Sequence, residues 1–340
     1  MAEFRLAPNS TMIVTATPLR VSFVGGGTDL SEFYEREGGA VISTAINRYV
    51  YVTVKRHSEL FLEPIRLNYS KSEQVERLDE IENNIARECL RFLEIEPPIY
   101  ISTVGDVPAS TGLGGSSAFT VGLLNALHAY RGERVAPGQL AEEACHIEIE
   151  VLKQPIGKQD QYAAAFGGLN LFSFNRDGGV TVQHQRLRNG QLRELFDYVM
   201  MFWTGHQRAA GHVLAEQRQN TPNKIDVLRR MRDQAHQLHE MLDDGSVDVA
   251  RMGAMLDEGW SLKRGLATLI TNPQIDCWYR AALAAGALGG KLCGAGGGGF
   301  FLFIVPPERH DDVRRALPGL GEMSVRPEVQ GSRVVIPFNG

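Results

Sequence analysis

Residues 105–128 read GDVPASTGLGGSSAFTVGLLNALH, and the stretch changes character halfway along. Pro108, Gly112, Gly114 and Gly115 make a loop in which side chains are small or absent, while Ser116, Ser117 and Ala118 open a largely apolar segment that meets no charge before Arg131. The pattern predicts a buried helix entered through a glycine loop, with a serine as its N-cap. A helix N-terminus offers unpaired N–H groups and about half a positive charge, and glycines let an anion approach the backbone. Phosphate is the ligand such a loop suits. Two familiar phosphate loops are excluded: no lysine occurs between Gly105 and Tyr130, and Ser117 stands where a dinucleotide fingerprint needs its third glycine. The protein-kinase signatures H-R-D and D-F-G are missing from the whole chain. Taken alone, the stretch could equally be a tight turn into a core helix, so its partners elsewhere decide.

With 340 residues, 43% hydrophobic and 22% charged, the composition is that of a globular protein with room for two domains. No apolar run approaches membrane-spanning length, and MAEFRLAPNS at the start lacks a signal-peptide pattern, so a cytoplasmic protein without membrane contact is expected. Cys89, Cys145, Cys277 and Cys293 are scattered without C-x-x-C spacing, which predicts reduced thiols and neither disulfides nor a zinc site. A formal charge of −5 gives no electrostatic footprint for nucleic acid. The informative excess is glycine, 36 residues, with clusters at 25–27, 112–115 and 294–299 where the backbone must come close to something.

Outward from the central stretch, residues 12–24 alternate enough for one or two strands and run into Gly25-Gly26-Gly27-Thr28-Asp29, after which LSEFYEREGG predicts a short helix closed by glycine. Strands are expected at 40–46, 48–56 and 99–104, and a helix over 79–93 that Pro97-Pro98 stops. A helix over 137–152 carries acids on one side, GKQDQYAAAFGG begins another, and LNLFSF with VTVQHQRL reads as a hairpin. A central strand is expected at 198–204. Helices follow over 208–242, 247–270 and 274–287, then KLCGAGGGGFFLFIV gives strand, glycine loop, strand, with a helix near 308–317 and short strands to finish. The shift from strand-rich to helix-rich near residue 190 sets the expected boundary between domains 1–190 and 191–340.

TPLRVSFVGGGTDL, PASTGLGGSSAF and KLCGAGGGGF resemble, in order and spacing, the three motifs of the GHMP kinases, the superfamily of galactokinase, homoserine, mevalonate and phosphomevalonate kinases. GKQDQYAAAFGG is similar to the family segment that holds the catalytic aspartate, and the resemblance runs from about Pro18 to Phe301. Within the family, GGGTD followed by Phe33, GKQDQYAAAFGG, and WSLKRG before NPQID look most like the sugar-1-kinases acting on D-glycero-D-manno-heptose 7-phosphate, with the fucokinase domain a nearer cousin than galactokinase. The resemblance implies an α+β, two-domain GHMP kinase fold with the active site in the inter-domain cleft and ATP under the PASTGLGGSS loop. It implies an ATP- and Mg²⁺-dependent enzyme that phosphorylates the anomeric hydroxyl to give the 1,7-bisphosphate, in the making of nucleotide-activated heptose. Partners would be the sugar phosphate and ATP, with homo-oligomerisation left open. Competing expectations are another sugar-1-kinase, for fucose or galactose, a decarboxylase of the same fold, and a non-catalytic sugar sensor.

Carried over residue by residue, the resemblance makes Asp160 the carboxylate at the acceptor hydroxyl and Arg20 the basic partner of that aspartate and the transferring phosphate. Pro108, Gly112, Leu113, Gly114, Gly115, Ser116 and Ser117 form the nucleotide loop. Ser117 and Glu148 hold Mg²⁺, with Glu150 as the competing acid; Mg²⁺ keeps waters and phosphate oxygens, so one carboxylate and one hydroxyl suffice. Gly26, Gly27, Thr28 and Asp29, together with Gly296 and Gly297, face the sugar. The plain alternatives are helix caps for Asp160 and Asp29 and an exposed strand position for Arg20. A phosphate already on the substrate needs a second anion site, for which Arg208, Lys158, Lys263 and Arg264 are the candidates.

Overall fold

The protein is described by a computed structural model covering residues 12–185, 187–188, 190–207, 210–244 and 247–337. Its strands are β1 Met12–Val24, β2 Gly39–Arg56, β3 Ile65–Asn68, β4 Ser72–Val75, β5 Ile99–Gly105, β6 Leu169–Phe174, β7 Val180–His184, β8 Val199–Trp203, β9 Gly289–Leu292, β10 Phe300–Ile304, β11 Gly321–Glu322 and β12 Arg333–Pro337. Its helices are α1 Ser31–Glu37, α2 Asn84–Phe92, α3 Gly115–Tyr130, α4 Pro137–Cys145, α5 Gln159–Phe166, α6 Gln191–Phe196, α7 Ala210–Asn220, α8 Ile225–Asp243, α9 Val249–Arg264, α10 Pro273–Ala284 and α11 His310–Ala316.

The first sheet runs β12-β1-β2-β5-β3-β4, with β6 added to β2 and β7 to β6. The two strands expected at 40–46 and 48–56 are one. The register of β2 against β1 slips between Pro18 and Leu19, leaving Asn47 and Arg48 unpaired there, because Pro18 has no N–H to give the ladder. The bulge lets one long strand serve two neighbours: residues 39–44 pair with β6 and residues 50–56 with β5.

Helix α3 lies against β1 and β2, which explains its missing charge. Ala118, Val121, Leu123, Leu124, Ala126 and Leu127 are all fully buried, and each large apolar side chain so placed stabilises the fold by about 1.5–3 kcal/mol. Gly122 permits the close approach: a Cβ there would stand 2.6 Å from Thr17 Oγ1, and Thr15 Oγ1 donates to the Gly122 carbonyl at 2.9 Å. The expected serine cap is not found. Gly114, left-handed at φ 77°, is the N-cap and no side chain caps the helix, which frees both serine hydroxyls for other work.

The second sheet runs β11-β8-β10-β9, over a core that includes Phe202, Trp260, Tyr279, Phe301 and Phe303. The chain changes sheet between His184 and Val199, and it does not stay. Strand β12 returns to pair with β1, so the expected unit 191–340 gives its last strand to the first sheet. Three expected helices are shorter or broken. Residues 79–93 are a 3₁₀ turn at Leu78–Glu80 followed by α2, whose N-cap Asn83 accepts from Ala86 N–H. Pro222, at the start of a 3₁₀ turn, separates α7 from α8, and α9 ends at Arg264 with Gly265 as its cap.

His128, in the last turn of α3, is buried between two carboxylates, with Nδ1 2.7 Å from Glu133 Oε2 and Nε2 2.8 Å from Glu143 Oε2. These bonds, that to Glu143 first, hold its pKa above the ordinary histidine value. A raised histidine pKa adds stability that is complete below the unfolded value of about 6.5 and disappears as pH rises through the folded value. The melting-temperature advantage of the wild type over His128→Gln is therefore expected to be largest near pH 6 and to shrink towards pH 9. A difference that stays constant over that range would contradict it.

Candidate active site

Arg20 sits inward on β1 and is buried. Its Nε donates to Asp160 Oδ1 at 2.7 Å, its Nη2 lies 2.6 Å from the same oxygen, and its Nη1 donates to the Gly112 carbonyl at 2.8 Å. Its backbone N–H donates to Leu113 O at 3.1 Å. One arginine thus joins the first motif, the glycine loop and the start of α5. Asp160 lies in the first turn of α5, where the helix dipole favours a carboxylate.

Asp29 is buried alongside. Its Oδ1 accepts from Gly27 N–H at 3.0 Å and its Oδ2 from Gln159 N–H at 3.3 Å. Gly157 has no room for a side chain, since a Cβ would stand 2.0 Å from Asp29 Oδ2. Burial, and then repulsion from Asp160, push the pKa of Asp29 upward against the pull of those N–H donors. Asp29 does not cap α1, whose N-cap is Leu30 without a side-chain bond.

The glycine loop is held by backbone-to-backbone contact with the third cluster. A Cβ on Gly112 would stand 2.5 Å from Cys293 O, one on Gly294 2.4 Å from Gly112 Cα, and one on Gly299 2.4 Å from Thr111 O. At Gly114 a Cβ would press 3.4 Å from both Arg20 Cγ and the Asp160 carboxylate.

Glu148 lies in an irregular turn. After Cys145 the helix widens into a π turn over His146–Val151, on which Glu148 is fully buried while Glu150 stays outside at 68% exposure, paired with His146 Nδ1 at 2.7 Å. Ser116 Oγ donates to Glu148 Oε1 at 3.2 Å and Gln161 Nε2 to Oε2 at 2.7 Å, with Ser117 buried beside them. Burial pushes the pKa of Glu148 up to about 7 despite hydrogen bonds from Ser117, Gln161 and Ser116. Among the described residues no three His, Cys, Asp or Glu gather to hold a metal. One carboxylate beside two hydroxyls is a donor set suited to Mg²⁺, which takes its other ligands from phosphate and water.

Apart from Glu148, which is fully buried behind Ser116, these groups open onto a cleft to which both halves contribute. Arg20, Gly26, Gly27, Asp29, Gly112, Gly114, Gly115, Ser116, Ser117 and Asp160 all line it. Other expected residues do not. Pro108 is exposed, off the cleft wall. Leu113 turns its side chain into the core and offers only its carbonyl. Thr28 is fully buried, its hydroxyl donating to Gly25 O and Ala40 O, so it braces the turn and does not face the sugar. Gly296 and Gly297 pack on Ile270, with Gly297 N–H donating to Ile270 O at 2.8 Å; Gly294 and Ala295 line the cleft in their place.

Of the basic candidates, Lys158 donates to Gly178 O at 2.6 Å over the Tyr34 ring, Arg264 pairs with Asp276 at 3.3 Å, and Arg208 lies outside the described residues. Lys263 lines the cleft. Three residues to which the motifs assigned no role take part. Gln161 holds Glu148, Lys291 stands behind Gly26, and Gln217 of α7 lines the cleft with its Nε2 unpartnered. Gln161 was within reach, two positions after Gln159 in the same segment, whereas Gln217 belongs to an ordinary polar helix.

Residues 78–168 match the N-terminal domain of GHMP kinases and residues 246–322 the C-terminal domain. Over 90% of this chain and 93% of the relative, the sequence is 28% identical to a D-glycero-alpha-D-manno-heptose 7-phosphate kinase of Campylobacter jejuni. A galactokinase of Pyrococcus furiosus is 23% identical over 84% of this chain and 86% of its own. A solved structure from Bacteroides thetaiotaomicron, described as a D-glycero-D-manno-heptose 1-phosphate kinase, superposes with a TM-score of 0.78 at 26% identity, covering 96% of this chain and all of that one.

A buried acid with a raised pKa loses protein stability as pH climbs from the unfolded value to the folded one. For Glu148, with a folded value of about 7, the loss falls between about pH 4.5 and 7 and amounts to a few kcal/mol. Without ligands, Glu148→Gln is expected to gain on the wild type in melting temperature from pH 5 to pH 7 and to hold that gain above pH 7. A gain independent of pH would mean that the carboxylate is not buried as described.

Proposed function

We propose that this chain, a GHMP kinase and a sugar kinase, transfers the γ-phosphoryl group of ATP to the anomeric hydroxyl of D-glycero-D-manno-heptose 7-phosphate, giving the 1,7-bisphosphate for nucleotide-activated heptose. The observation that carries the chemistry is the arrangement of Asp160. Arg20 Nε and Nη2 both bond its Oδ1, which leaves Oδ2, on the side of Gly114, to accept a hydrogen bond from the acceptor hydroxyl.

Phosphoryl transfer passes through a loose transition state, so positioning and charge neutralisation supply most of the rate. Asp160 orients the hydroxyl and takes its proton late. Arg20 offsets the charge that builds on the moving group, and the N–H groups at the start of α3 receive the nucleotide's phosphates. Asp29 accepts from neighbouring sugar hydroxyls, for which two carboxylate oxygens on one side chain are suited. Glu148 and Ser117, with Ser116 steadying the carboxylate, would hold Mg²⁺, which when bound neutralises phosphate charge. The acceptor rests on the heptose phosphate kinases that resemble the chain over nearly its whole length. We place the reaction in the cytoplasm, where ATP is; no helix among the described residues is long and apolar enough to cross a membrane.

The measurement is ADP release from Mg-ATP with a panel of sugars and sugar phosphates. Turnover is expected to be highest with the heptose 7-phosphate, and turnover confined to free fucose or galactose would replace that acceptor. Asp160→Ala is expected to lower kcat roughly 10²–10⁴-fold with a much smaller change in ATP binding; equal loss of both would remove Asp160 from the reacting centre.

A further inference from the structure

Near Asp29, two lysines are buried without a carboxylate partner among the described residues, one in the cleft wall and one behind it. Lys263, on α9, is 7% exposed and donates to the Gly294 carbonyl. Lys291, on β9, is 6% exposed and donates to Ser22 Oγ and Phe23 O, each at 3.3 Å. The nearby acids are engaged elsewhere, Asp160 by Arg20 and Asp29 by two backbone N–H groups. A buried ammonium carries a penalty of several kcal/mol unless an anion offsets it, and neutral carbonyl and hydroxyl oxygens do so only in part. Burial accordingly lowers the pKa of Lys263 to about 8, and burial followed by the charge of Lys263 lowers that of Lys291 to about 7. The pair is one anion short.

The wall in front of the lysines is bare where the fold does not require it. Gly25 and Gly27 need to be glycine, since both have positive φ and a Cβ would stand 2.0 Å from Ala40 O and 2.4 Å from Gln217 Nε2 respectively. Gly26 has no such need. Its φ lies outside the left-handed region, and a Cβ would meet nothing nearer than Ser22 Oγ at 3.8 Å and Lys291 Nζ at 4.0 Å. A side chain at position 26 would fit the protein and fill the space before Lys291. Into this corner Gln217, 2% exposed, brings an amide nitrogen with no partner among the described residues. Buried donors left unpaired are costly, so their place is explained by a ligand rich in acceptors. A phosphate dianion, whose oxygens only accept, fits a corner built of ammonium and amide donors.

We propose that Lys263, Lys291 and Gln217, around the bare backbone of Gly26, form an anion subsite for the phosphate the acceptor sugar already carries, and that this subsite selects a sugar phosphate over the free sugar. It rests on the acceptor class proposed above. It uses none of the groups assigned to the transferring phosphoryl, which are Arg20, the start of α3 and Glu148.

The test compares kcat/KM for D-glycero-D-manno-heptose 7-phosphate with that for unphosphorylated heptose, in the wild type, Lys263→Met and Gly26→Glu, with melting temperature as the check on folding. Gly26→Glu has open space to occupy and places a carboxylate in front of Lys291. Losing a hydrogen bond to a charged group is worth roughly 10–100-fold in affinity, so the phosphorylated-to-free ratio is expected to fall by that factor in each variant. A wild type that prefers the phosphorylated sugar, with a ratio that both variants leave within twofold, overturns the subsite alone. Equal losses for both acceptors in Lys263→Met also overturn it, because they assign that lysine to the transferring phosphoryl group. A wild type that turns over only the free sugar overturns the acceptor class and the subsite with it.

Discussion

The ion pair between Arg20 and Asp160 is the constraint from which the rest of the site follows. It spans 140 residues of sequence, and the same guanidinium reaches the Gly112 carbonyl 92 residues away. An ion pair half withdrawn from water is poor as a source of stability, since desolvation takes back much of the attraction. Its value lies in geometry. The fork of an arginine fixes distance and angle together, so the aspartate at the start of α5 and the loop before α3 cannot shift independently. Everything a phosphoryl group would touch is then referenced to one side chain on β1.

Around that pair, precision comes from backbone packed on backbone. Gly112, Gly294 and Gly299 lie in contact with the main chain of the opposing segment, and no rotamer intervenes to soften the fit. The loop from the first half is therefore seated on a loop from the second, and the cleft between the halves has a rigid floor. Its parts differ in chemistry. One side carries Glu148 with hydroxyl and amide donors, suited to a metal-bound nucleotide; Asp29, held by backbone N–H groups, and the buried Lys263 line another part.

Much of this was legible in the sequence, for identifiable reasons. The charge-free run after Ser116 declared a helix buried on the sheet, and three glycine clusters declared places where chains touch. Residues that failed did so where local pattern and tertiary geometry part company. Helical counting puts Glu148 and Glu150 on different faces without saying which face turns inward; the packing of the π turn decides that, and it has no propensity signal. A serine beside a helix start looks like a cap, yet the left-handed Gly114 ends the loop unaided and releases the hydroxyls. Thr28 and Gly296 belong to motifs whose neighbours reach the cleft, but they hold the turn and do not face it. Gln217 and Lys291 matter because of what they face, and no spacing rule carries that.

The return of β12 to β1 has a consequence for how the protein is made. Thr17 Oγ1 meets Ser332 Oγ at 2.8 Å across a separation of 315 residues. As the nascent polypeptide leaves the ribosome, β1 finds β2 at once, but its other flank waits until β12 has been made. Throughout that interval the strand bearing Arg20 presents bare amides and carbonyls on one side, an invitation to mispairing between neighbouring nascent chains. Yield in the cell should thus depend on chaperone supply and on elongation speed more than a well-filled interior would lead one to expect.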